Sequence, residues 1–87
     1  MNTTTHYLKT VEPYFSRIVN RDKTFELRKN DRGFQRGDIA CLRKYDPKKD
    51  EFTGESIDIE ITFVLEKFKD ALNDDWCIFS FKIINQS

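Results

Sequence analysis

The chain reads as an α+β fold, a mixed β-sheet of five strands curled toward a small β-barrel, with one main helix after the first strand. Three observations predict it. Val11, Tyr14, Phe15, Ile18 and Val19 follow the i, i+3, i+4, i+7, i+8 spacing of a helix with one buried stripe. Ile57, Ile59, Ile61, Phe63 and Leu65 alternate with their neighbours over residues 56–66, the period of two that marks a strand with a core face and a wet face. The order of elements, strand, helix, strand and then three strands in succession, makes the sheet mixed.

Residues 6–9 form the first strand. Thr10 or Glu12 is placed to cap the helix, and Pro13 falls in its first turn, where a missing N–H costs nothing. The helix ends near residues 20–22. Residues 23–29 make the second strand, and residues 30–38 a loop with two glycines and a single large apolar side chain, Phe34. Residues 39–45 form the third strand. Residues 46–54 are polar and rich in turn formers, as in the tip of an elongated hairpin. The fourth strand carries the alternating isoleucines, residues 67–73 make a short link, and residues 76–84 form the last strand. Its Cys77, Phe79, Phe81 and Ile83 point to the core.

With 87 residues the chain suits one domain, near the lower limit for a single hydrophobic core. Cys41 and Cys77 lie in apolar runs and read as reduced core thiols, although a disulfide between them is geometrically open. The start of the chain lacks the features of a signal peptide, and no apolar run is long enough to span a bilayer. The expectation is a cytoplasmic monomer without a membrane partner. One histidine and two separated cysteines give no ligand spacing, so neither a metal nor a cofactor is expected.

Fifteen basic and fifteen acidic residues leave no formal net charge, but their distribution is uneven. Residues 21–49 hold ten basic side chains against five acidic ones, a surplus of five that the rest of the chain reverses. Such a split makes either a basic face for phosphate or two solvated faces. Within it, the strand at residues 23–29 puts Glu26 and Arg28 on one side and Phe25 and Leu27 on the other. The charged side is either solvated or the floor of a pocket.

His6-x-Leu8-Lys9, Pro13-x-Phe15, the unbroken run from Lys23 to Arg32, Phe34, Gly37-Asp38, Leu42, Tyr45-Asp46 and Thr53-Gly54 together resemble a small bacterial and phage family of unknown function. That family is similar to the ASCH domains of the PUA-like superfamily, and the resemblance runs from about residue 6 to residue 83. It implies a PUA-like barrel of five or six strands with an adjoining helix. The ASCH signature, Gly-x-Lys-x-x-Glu-x-Arg, is met at Lys23, Glu26 and Arg28, while Arg21 stands where the glycine is expected. A glycine there closes the helix in the left-handed conformation; here either Arg21 bears about 1 kcal/mol of strain or Asn20 takes that role.

The resemblance implies a cleft between helix and barrel that binds RNA or a nucleotide, lined by Lys23, Glu26 and Arg28; the basic residues around them, Lys9, Arg32 and Arg36, and the aromatic Phe34 complete the expected binding set. Lysine and arginine suit phosphate, and a carboxylate accepts hydrogen bonds from the exocyclic amines of cytosine or adenine. Phe34, Tyr45 and Tyr7 are candidates for stacking on a base; core packing is the competing role for the two tyrosines, whereas Phe34, in a polar loop, escapes it. Some similar ASCH proteins are amidohydrolases of acetylated cytidine that use a lysine, a threonine and a glutamate. Lys23 and Glu26 are then the catalytic candidates, but Glu26 occupies the threonine position, which leaves Thr24 as the only nearby substitute. His6 is the lone imidazole for a general base. Binding rather than catalysis is therefore the first expectation, and a protein-interaction module is a third class.

Overall fold

Period-two alternation carries most of this chain into strands. The computed structural model describes residues 3–86, with β1 at Thr5–Thr10, α1 at Tyr14–Val19, β2 at Phe25–Lys29, β3 at Ile39–Asp46, β4 at Glu51–Glu66 and β5 at Trp76–Gln86. The strands form one sheet in the order β1-β3-β4-β5-β2, curled into a half-barrel. β1 runs parallel to β3 and every other pairing is antiparallel. β1 and β2 are thus the two free edges, and α1 carries the chain from one to the other.

The α+β expectation with a main helix is overturned. The protein is predominantly sheet, and α1 has only six residues. Pro13 sits at its N-cap, and Val11, expected inside the helix, instead accepts the N–H groups of Tyr14 and Phe15 in a preceding turn. Arg21 closes the other end with a left-handed φ of 66°, so Arg21 and not Asn20 takes the glycine's role. The closing bonds, Asp22 N–H to the Arg17 carbonyl and Arg21 N–H to that of Ile18, form a Schellman motif. Of the expected stripe, Phe15 and Ile18 are buried, while Tyr14 is exposed. Fewer than two turns of helix cannot form a layer of their own. Glu12 does serve the helix start, accepting the Ser16 N–H at 2.8 Å; the Ser16 hydroxyl first, and then this backbone bond, hold the Glu12 carboxyl below its usual range.

The core lies on the concave face, where Leu8, Ala40, Leu42, Ile57, Ile59, Ile61, Cys77, Phe79 and Phe81 meet Phe15 and Ile18. Three expectations shift here. The alternation of β4 does not persist to Leu65, because a register shift between Ile61 and Phe63 adds a residue to β4. Phe63 is turned outward and Val64 packs against the core instead. The hairpin connection shrinks to residues 47–50, because Tyr45 pairs with Phe52 and Asp46 with Glu51. Cys77 is buried, and that burial raises its thiol pKa. Cys41 faces the outer side of β3 rather than the core; both thiols are free. Among the described residues, no helix is long and apolar enough to cross a membrane.

Candidate functional site

β2 is inverted relative to a simple amphipathic strand. Its polar side faces inward: Glu26 is opposite Phe79 and Arg28 opposite Cys77, and Glu26 is only 4% exposed. Phe25 and Leu27 look outward and are about half exposed. A carboxylate at such depth needs charged partners. Lys23 Nζ donates to Glu26 Oε1 at 2.7 Å and Arg28 Nε to Glu26 Oε2 at 2.8 Å. Lys23 also donates to the Phe25 carbonyl, which fixes the ammonium where the chain leaves the α1 turn.

The seam between the two edge strands is bridged by side chains instead of a backbone ladder. From β2, Arg28 Nη2 donates to the Lys9 carbonyl at 2.9 Å and lies 3.4 Å from Thr10 Oγ1; from the following loop, Arg32 Nη1 donates to the Tyr7 carbonyl at 3.2 Å. Tyr7 and Lys9 are two apart on β1, so both carbonyls point to its free edge.

This seam opens into a cavity of about 670 Å³. Five basic residues line it, Lys9, Lys23, Arg28, Lys29 and Arg32, against two acidic ones, Glu26 and Asp31; Tyr14, Phe34 and Trp76 supply aromatic wall, with Phe25 at its border. The Lys23 ammonium lies 5.0 Å from the Phe25 ring centre and 5.7 Å from that of Tyr14. The size falls in the range of small-molecule sites, and the lining combines flat apolar wall with convergent charged groups.

Of the residues singled out from sequence, the cavity brings together Lys9, Lys23, Glu26, Arg28, Arg32 and Phe34. Arg36 is exposed on the loop and outside the lining. Phe34 is no free stacking surface: it is 5% exposed, with its ring 5.0 Å from Phe79 and 4.7 Å from His6. His6 is likewise committed, since its Nε2–H donates to Asp38 Oδ2 at 2.9 Å in a buried pair away from the cavity lining. Thr24 is exposed and outside the lining, whereas a hydroxyl that does reach the cluster is Thr10's. Thr10, Tyr14 and Trp76 were missed. Each is separated in sequence from the Lys23–Arg32 run: Trp76 reaches it by pairing with Lys29, Thr10 by the curl that brings the β1 edge to β2, and Tyr14 from α1.

The ten basic side chains of residues 21–49 do not share one surface. Lys23, Arg28, Lys29 and Arg32 border the cavity, Lys29 from the outward side of β2, while Arg43 and Lys44 lie on β3 at the hairpin. Lys44 sits between Glu12 and Glu55, at 3.3 and 3.4 Å, and these carboxylates, Glu12 first, raise its pKa. Among the described residues no group of three or more His, Cys, Asp or Glu side chains is placed to hold a metal.

Fold and site thus define an open, β-rich half-barrel with a cationic cavity at its seam. The chain belongs to a family described as a domain of unknown function (DUF3850), whose model matches residues 5–81. No curated protein matches it.

Proposed function

We propose that the seam cavity binds a nucleotide, free or as one unit of single-stranded RNA. The observation that carries this reading is the buried Glu26 carboxylate held between Lys23 and Arg28 in a cavity with surplus cations. An ionised carboxylate offers about four lone-pair sites, and Lys23 and Arg28 take two. The remainder suit the exocyclic amine of cytosine or adenine and oppose the carbonyl of uracil. Arg28, Lys29 and Arg32 at the rim supply donors for phosphate, and Tyr14 or Trp76 a flat surface for the base. The resemblance to ASCH domains adds to the same reading, and the excess of positive charge favours binding over a balanced catalytic pair.

Titrating CMP and AMP, and labelled single-stranded RNA, at low and moderate salt tests it. Binding weakens as salt rises, and Lys23→Ala or Arg28→Ala each costs about tenfold or more in affinity. Salt-insensitive binding, or full affinity in both variants, overturns the assignment.

A further inference from the structure

The outer face of β1 and β3 carries an arrangement the cavity does not explain. Lys9 and Arg43 are register partners on these parallel strands, so two cations stand side by side on one face. Like charges so placed repel each other. Neither makes an ion pair among the described residues; each instead rests on a ring, Lys9 Nζ 4.0 Å from the centre of Tyr45 and Arg43 Cζ 4.2 Å from that of Phe52. The two rings are themselves in contact, at 5.2 Å between centres. A cation lying on a ring face keeps its N–H groups available to an anion.

Two residues before Lys9 on the same face, Tyr7 is 59% exposed, and its ring has no aromatic, cationic or hydrogen-bonding partner among the described residues. It borders a groove of about 260 Å³ that also contains Cys41, Arg43 and Phe52. Glu55, the groove's own carboxylate, is paired with Lys44. Only the edge strand β1 separates this groove from the seam cavity, and Lys9 belongs to both surroundings.

We infer that Lys9 and Arg43 hold the phosphate of a second nucleotide of single-stranded RNA, with its base against Tyr7, while the first nucleotide occupies the cavity. This rests on the cavity reading above and deepens it: the ligand is an oligonucleotide that crosses the β1 edge. Calorimetric titration of CMP and AMP against cytidine and adenosine oligonucleotides of two to six residues tests it. The oligonucleotides bind about tenfold or more tightly than the mononucleotides. Arg43→Gln and Tyr7→Ala, both at exposed positions, each remove most of that gain and leave mononucleotide affinity unchanged.

Cys41 supplies a readout free of mutation. Its thiol pKa is raised, first by burial and then by Asp58, yet it borders the groove while Cys77 is buried. Its alkylation by iodoacetamide is slowed by the oligonucleotides and untouched by CMP or AMP. Equal affinity at every length, a length gain retained in both variants, or alkylation indifferent to oligonucleotide overturns the second subsite while leaving the cavity intact. No binding at any length overturns both.

Discussion

Asp38 and Glu26 are the carboxylates buried among the described residues, and the half-barrel surrounds them differently. Asp38 Oδ2 receives His6 Nε2–H and the Gln35 N–H, and the Phe34 ring packs against His6. Every partner is local to β1 and the loop ahead of β3, and the pair fastens that loop to the sheet. Glu26 receives two cations instead of one imidazole and opens on a cavity. A closed pair stabilises a loop, whereas a carboxylate outnumbered by cations beside an open space leaves acceptor sites facing that space, and the proposed function rests on this difference.

That contrast is open to direct attack. Asp38→Ala leaves the buried His6 ring and the Gln35 N–H without their acceptor, and a loss of about 3 kcal/mol in denaturant unfolding is expected. A loss below about 1 kcal/mol would erase the structural role. Glu26→Gln keeps the shape and lets Lys23 and Arg28 turn toward water in the cavity, so its cost is smaller, about 1–2 kcal/mol. Its larger effect is on choice of ligand: preference for CMP and AMP over UMP collapses. If that preference survives, Glu26 is no more functional than Asp38. Arg21→Gly sharpens the picture with the smallest change. It removes the cost of a left-handed arginine and raises stability by about 1 kcal/mol, or about 4–8 °C in Tm, with cavity affinity unchanged. An unchanged Tm would show that the Schellman closure tolerates arginine without strain.

Much of the strand content was legible because period-two alternation survives in any sheet with one dry face. The pairing of Glu26 with Arg28 on one side of β2 followed from the same rule. Burial of that charged side did not, since it depends on β2 being an edge strand beside an unfilled seam. Phe34 misled because a polar loop conceals its direction: only the inward fold of residues 30–38 sets its ring on Phe79. The helix misled for a different reason. Its spacing was helical, but Val11 was drawn into a turn ahead of Pro13, and Arg21 stopped the chain soon after. Phe63 was misplaced by one added residue, which no pattern within β4 alone reveals. Arg21 in the glycine position, by contrast, was visible from sequence as a local departure, and the structure puts the left-handed turn there.

The arginines at the seam have one more consequence. A sheet with free edges is a template on which a strand from another molecule can add, which is the usual first step of edge-to-edge aggregation. β1 would offer the carbonyls of Tyr7 and Lys9 to such a strand, and these are the acceptors that Arg32 and Arg28 occupy. The side chains that make the cavity cationic also deny the edge to a neighbouring copy. Neutralising them to probe the proposed binding should therefore be accompanied by a check of light scattering, because a variant that has lost its guanidinium can aggregate through the exposed edge.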